Sequence, residues 1–515
     1  MSKRQIVNII NFIRDIEPRM EMDLLTPVLE QIRLLKQYNL KGTFLLQYDA
    51  LIDPVYADIL KELDKNQFEA GVWFETVQPL VEKAGATWRG RYPWDWHSHC
   101  GFSVGYTREE REKLIDILFT DFKSIFGYYP KSFGSWAFDT YTLEYASDKY
   151  NLDAACNCKE QWGTDGYTLW GGYYGQGYYP GRKNLLAPSQ TAGNQIATPL
   201  FRMLGSDPVY QYDCGLDISA GLASAQGVIT LEPVYTGKSG GGGVEKWVDW
   251  YLEENFNGKC LSFGYTQAGQ ENSFGWNAMK NGLEYQFEKI AQLQSEGKLE
   301  VETLGETGRW YKNEYEITPP STITALSDWK DSGKKSIWYS CKNYRVNFYS
   351  ENDELWIRDI HLFRDSYSER YLFDTCKGNE MLYDNLPIID GNRFSGNGIR
   401  AGIWFEYQGR KLKISNLKYD EKDGNAEITA QTNECGEIKV TLTEQGIKTE
   451  CARQFTLKPR LDGYRASCWI DVERTGASDL TFTYNKFRYT VRLTCADIEN
   501  DFAVSCGNSF VRLDV

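Results

Sequence analysis

The sequence predicts an α/β fold on a parallel sheet, either doubly wound or closed into a barrel, followed by an antiparallel β-sandwich. Two observations carry this. From residue 6 to about residue 304, strand-length apolar runs alternate with stretches of helical period, and parallel strands need such crossovers. From about residue 316, strand-length runs follow one another with no convincing helix between them. At 515 residues, two domains are expected, 1–315 and 316–515.

The strand-like runs of the first part are IVNIINFI (6–13), GTFLLQY (42–48), FEAGVWF (68–74), SFGSWAF (132–138), AACNC (154–158), PLFRML (199–204), VITLEPV (228–234), CLSFGY (260–265) and LEVETL (299–304). Between them, Leu25, Leu29, Ile32 and Leu35 recur at helical spacing over 23–38. Residues 107–126 open with Thr107 and Glu110 in capping-box register. Residues 244–256 and 277–296 read as helices too. "ITPPSTIT" (317–324) reads as a linker. Beyond it, Ile438, Val440 and Leu442 alternate with Glu437, Lys439 and Thr441, the mark of a half-buried antiparallel strand.

Composition narrows the function. A hydrophobic share of 42% and a charged share of 25% fit a folded protein. A net charge of -14 argues against nucleic acid or an anionic membrane as partner. No apolar run is long enough to span a bilayer, and the first twenty residues lack a small-residue cleavage site, so the expected compartment is the cytoplasm. The twelve cysteines are scattered with no CxxC pair and read as buried thiols. Aromatics reach 15%, many in Gly-rich loops such as "YTLWGGYYGQGYY" (167–179), where rings such as Trp170 suit the apolar faces of sugars as well as loop packing.

Acids recur just past the strand-like runs: Asp15, Glu17, Asp49, Glu75, Asp139, Glu160, Asp207 and Glu271. At the carboxyl ends of parallel strands they would converge and acquire separated pKa values. Capping of the next helix is the ordinary alternative and suits Asp49. Glu75 and Asp139 end aromatic-rich strands, beside Trp73 and Trp136; in a glycoside-cleaving pair Glu75 is the expected nucleophile or base and Asp139 the expected acid, with the roles open to exchange or to sharing with Asp207 or Glu271. Asp207 sits before Pro208 in a turn-like sequence, and Gln267 and Glu271 lie in an amide-rich loop suited to sugar hydroxyls. The GxSxG at 101–105 and the GKS at 237–239 lack the partners and spacing of a hydrolase elbow or a phosphate loop.

The run "LKGTFLLQYDAL … FEAGVWFE … YTREEREKLIDILFTDFKSIFGYYPKSFGSWAFD" resembles the NodB-like polysaccharide deacetylase superfamily, whose barrel is shared with the family 57 and family 38 glycoside hydrolases. The matching points are Thr43-Phe44, Glu69-Ala70-Gly71 and Pro130-Lys131. The resemblance implies a (β/α)7-type barrel followed by a C-terminal antiparallel β-sandwich. It also puts Asp15 near a deacetylase metal-site aspartate. The departures matter: Val72 and Trp73 stand where a metal-binding histidine would follow the third-strand glycine, and Ser132–Trp136 lacks the Arg-x-Pro-x-Gly motif. The glycosidase branch is therefore favoured, with no cofactor.

"RYPWDWHSHCGF" (91–102) holds two of the three histidines. His97 and His99 would bind a metal with Asp15, contact sugar between Trp94 and Trp96, or serve structure; the sugar reading is preferred and no metal is expected. The expected function is hydrolysis of a small oligosaccharide or glycoside. The alternatives are a metal-dependent deacetylase using Asp15, His97 and His99, and a silent carbohydrate-binding protein.

Overall fold

The computed structural model describes residues 3–164, 167–214, 216–217, 222–223, 227–494, 496–498, 504–506 and 510–514. Its first body is a nine-stranded sheet in which seven parallel strands form the wall: β1 (Gln5–Ile13), β2 (Gly42–Leu46), β3 (Phe68–Trp73), β4 (Ser132–Gly134), β5 (Ala154–Cys158), β6 (Leu200–Met203) and β7 (Gly264–Ala268); the short Gly177–Tyr178 adds to β6 antiparallel, and Glu300–Glu302 adds to β1. The wall strands lie in the order β7-β1-β2-β3-β4-β5-β6, and every neighbouring pair is parallel. The sheet curls into a nearly closed barrel. Among the described residues no ladder joins β6 to β7; the Gly205 N–H donates to the Gln267 carbonyl across the seam at 3.3 Å.

Seven strands leave two of the nine runs outside the wall. Residues 228–234 make only a single bridge, Thr230 to Ser206. Residues Glu300–Glu302 form a short strand beside the amino-terminal half of β1. β1 reads as a nearly continuous apolar run because it is covered on both faces; eight of its nine residues are buried.

The four helices expected from periodicity are present, α1 (Leu25–Gln37), α2 (Arg108–Phe126), α4 (Glu245–Asn255) and α5 (Trp276–Ser295), and two that were not expected join them, α3 (Thr140–Tyr150) and α6 (Leu304–Glu314). The capping box of α2 is formed: Thr107 accepts from the Glu110 N–H at 3.3 Å and Glu110 from the Thr107 N–H at 2.8 Å. No described helix is long and apolar enough to cross a membrane.

The second body is an antiparallel β-sandwich. One sheet begins with Ser321–Ala325, Lys335–Ser340 and Tyr344–Glu351, the other with Ile414–Lys422, Asn425–Thr432 and Gly436–Thr443. The expected linker is thus partly strand. In Gly436–Thr443 the alternation holds, with Ile438, Val440 and Leu442 buried. Fully buried Arg345, from the sandwich, fixes it to the barrel: it holds Asp359 at 2.8 Å and reaches Glu160, past the end of β5, at 2.5 Å.

Candidate active site

Side chains alternate along a strand, so Phe12 and, past the end of β1, Arg14 point the same way, into the barrel mouth. Phe12 stacks on Trp73 with centroids 4.0 Å apart, and Trp136 stands edge-on to both. Gly134 makes room for this group, since a Cβ there would meet the Trp73 ring at 2.8 Å. Above the rings lies Arg14, 1% exposed. One of its nitrogens, Nη2, donates to Glu75 Oε2 at 3.2 Å and to Glu271 Oε2 at 3.3 Å. Glu75 Oε2 also accepts from Gln47 at 2.9 Å and from the Trp94 indole at 3.0 Å. Its other oxygen is buried with no hydrogen-bond partner. Ser273 holds Glu271 from the far side.

The electrostatics separate Glu75 from an ordinary carboxyl. Burial pushes it up to about 7; Arg14 opposes the shift, and the nearby Glu271 adds to it. Glu75 therefore carries its proton for much of the time near neutrality. Gln267 and Gln270 line a cavity of about 10 Å³ beside Glu271, with Phe12 and Trp136 on its other wall. That is roughly the space of one water. Both glutamines keep a buried carbonyl oxygen without a partner there.

Trp94 stoppers the mouth. Arg14 lies 3.9 Å from its ring centroid and Arg19 5.1 Å, so two guanidinium groups pack against the indole. The segment carrying it is braced by Asp95, which takes Arg91 on both oxygens at 2.8 and 3.0 Å. His97 Nδ1 lies 3.0 Å from Asp95, and the His97 and His99 rings stack at 6.0 Å. Asp15 faces the opposite way from Arg14, its N–H bound by Asp49. Asp15, His97 and His99 do not gather within ligating reach. Among the described residues the group that does is Asp359, His361 and Asp390, and there Arg345, Tyr212 and Trp170 already take the carboxylates.

The expected pairing of Glu75 with Asp139 is corrected. Asp139 lies five residues past β4 because residues 135–138 intervene, and it caps α3 by accepting from Thr142 N–H at 3.0 Å. Thr142 and Ser103 hydroxyls reach it at 2.6 Å and Arg111 at 2.8 Å, with no link to Glu75 among the described residues. Replacing Arg111 by Met leaves this carboxylate buried without its cation, and unfolding free energy should fall by about 3–5 kcal/mol in denaturant titration. Asp207 likewise serves a turn, accepting from Val209 and Tyr210 N–H groups and from Trp247, each at 2.8 Å. Trp170 belongs to the sandwich contact, donating to Asp390 at 3.1 Å.

Sequence reasoning missed Arg14 and Gln47. The signal for Arg14 was present: a cation two residues past an inward-facing phenylalanine, directly after an apolar strand.

No protein-family model matches the sequence, and no curated protein does. Solved structures do resemble the fold. A provisionally described glycoside hydrolase/deacetylase from Parabacteroides distasonis superposes with a TM-score of 0.54 at 16% identity, over 74% of this chain and 88% of that one. A provisionally described polysaccharide deacetylase from Mycobacterium smegmatis gives 0.37 at 11% identity, over 61% and 92%. A family 57 branching enzyme from Thermococcus kodakaraensis gives 0.31 at 10%, over 61% and 72%. The first of these likenesses establishes a shared fold.

Proposed function

We propose that this chain hydrolyses a glycosidic bond in a small carbohydrate, with Glu75 as general acid and Glu271 as its partner carboxylate. The observation that carries the reading is the single Arg14 nitrogen bound to both acids above a wall of aromatic rings. Glu75, protonated near neutrality, can give its proton to the leaving oxygen. Glu271, steadied by Arg14, faces the anomeric carbon. Because both oxygens touch one nitrogen, their separation is at most the sum of 3.2 and 3.3 Å. That reaches only the lower edge of the ~6.5–9.5 Å that an inverting pair needs to admit water. Direct attack by Glu271, and retention of configuration, is the consistent mechanism.

Phe12, Trp73 and Trp136 offer the stacking wall, and Gln267 and Gln270 the free acceptors for sugar hydroxyls. Entry requires Trp94 to leave the mouth, which also removes one donor from Glu75. The neighbouring fold described as a glycoside hydrolase/deacetylase supports a carbohydrate substrate. The deacetylase reading that took Asp15, His97 and His99 as metal ligands is not supported by their placement, since the three do not gather within ligating reach.

A panel of nitrophenyl glycosides tests the proposal. Turnover of at least one member is expected, with the first-formed sugar keeping its anomeric configuration by proton NMR. Inactivity across the panel together with release of acetate from acetylated sugars would favour the deacetylase instead.

A further inference from the structure

A second group of polar atoms lies outside the barrel wall and takes no part in the proposed reaction. Cys156 faces inward, close against Gly134, so by alternation Asn157 and Lys159 face outward. Arg202 of β6 is the register partner of Asn157. Its Nε donates to the Cys158 carbonyl at 2.9 Å, and its Nη1 reaches the Gly171 and Tyr173 carbonyls at 3.4 Å. The guanidinium therefore runs along β5 toward Lys159.

These atoms are poorly satisfied. Arg202 Nη2 and both polar atoms of the Asn157 side chain are buried with no hydrogen-bond partner. Lys159 is 3% exposed and has no hydrogen bond or ion pair with a described residue. Its ammonium stands 5.7 Å from the centroid of Tyr174, which stacks on Trp338 of the sandwich at 3.8 Å. Glu160, next in sequence, is taken by Arg345 and the Gly171 N–H. Two neighbouring cationic side chains are thus buried with no ion pair to a described residue, the carboxylate next to Lys159 being held by Arg345.

Such a pair settles by giving up one charge or by gaining an anion. Burial and the adjacent Arg202 lower Lys159 to about 7, while Glu160 and Cys158 pull the other way. A large share of the side chain is then neutral amine near neutral pH, and a neutral amine is a nucleophile.

We propose that Lys159 is a site of carboxylation by carbon dioxide. The ε-nitrogen lone pair bonds to the carbon of carbon dioxide, one C=O π bond opens onto oxygen, and one N–H proton passes to solvent. The product is a carbamate, with no oxidant or reductant required. Its carboxylate supplies the missing anion, accepting from Arg202 Nη2 and from the Asn157 amide, and it bridges the barrel wall to the Tyr174–Trp338 stack. A halide lodged between the same donors is the competing occupant.

The test uses the full chain, equilibrated with carbon-13 bicarbonate in mildly alkaline buffer. One carbamate resonance per chain is expected, lost on acid denaturation and absent from Lys159→Arg, which keeps the positive charge but forms no carbamate. Bicarbonate should raise the melting temperature of the wild type and not of the variant. If the variant fails to fold, methyl trapping of the wild-type carbamate followed by peptide mapping should place it on Lys159. No carbamate resonance in the folded wild type, or a trapped label on another residue, overturns the proposal. So does equal stabilisation by chloride and bicarbonate with no label incorporated.

Discussion

Glu75→Gln should lower kcat for glycosides with poor leaving groups by roughly a hundred- to ten-thousand-fold, the usual contribution of a positioned general acid. Glutamine keeps the shape and still accepts hydrogen bonds from Gln47 and Trp94, so the fold should survive. What it lacks is the acidic proton. Dinitrophenyl glycosides, whose leaving group departs without protonation, should be spared by most of that factor. Glu271→Gln should slow both substrate kinds alike, because loss of the attacking carboxylate does not depend on the leaving group. In the wild type, activity should fall as pH rises through about 7, where Glu75 gives up its proton. Near-normal rates for either variant on a poor leaving group would end the assignment.

The stability of the fold should decline between about pH 5 and pH 8, the reverse of what paired carboxylates ordinarily give. Four buried acids are raised: Glu369 to about 8, Glu75 to about 7, Asp49 and Asp207 to about 6. Burial is the leading cause for each; at Glu369 the neighbouring Asp139 adds to it, and no cation answers it. A group raised on folding contributes its full stability below its unfolded pKa and loses it as pH climbs through the folded value. Each unit is about 1.4 kcal/mol, so the combined loss should reach several kcal/mol, offset in part above pH 7 by Lys159, which is lowered to about 7 on folding and so adds stability as pH rises. Below pH 4 the sign reverses. At Asp95, burial is outweighed by Arg91, which holds the carboxyl down to about 2; at Asp390, His361 and Arg393 hold it below the usual carboxylate range. Stability from these two is lost as pH falls through the acid region. Calorimetric melting across pH 3 to 9 should therefore peak near pH 4–5. A curve that is flat or rising from 5 to 8 would contradict the burial of these acids.

Much of the fold was legible because it follows from period. α1 and α2 announce themselves by apolar spacing and the Thr107–Glu110 box, and β1 by its length of apolar residues. The excess strands were not separable, since Val228–Val234 is as apolar as a wall strand and only its neighbours deny it a ladder. At the site, Glu75 and Glu271 were readable as acids after strands, and the rings Trp73, Trp94 and Trp136 as their company. Their use of a common arginine was not, because Arg14 and Asp15 are adjacent in sequence and face opposite ways. Distance along the chain misled at Asp139, where four residues of turn carry the acid onto a helix cap. At Trp170 it was the partner that could not be read: Asp390 comes 220 residues later.

Neighbouring wall strands are joined by ladders except β6 and β7: the first half of that edge of β6 is taken by the antiparallel Gly177–Tyr178, and beyond it the Gly205–Gln267 bond stands in for a strand pairing. The stretch of wall with the fewest backbone hydrogen bonds is the one that opens at least cost. Gln267, Gln270 and Glu271 sit on the lip of the slit, so the motion that loosens the wall also enlarges the cramped space in front of them. The same weakness that keeps the ring from being a finished hoop thus gives it a hinge line, set beside the atoms that would need room to work.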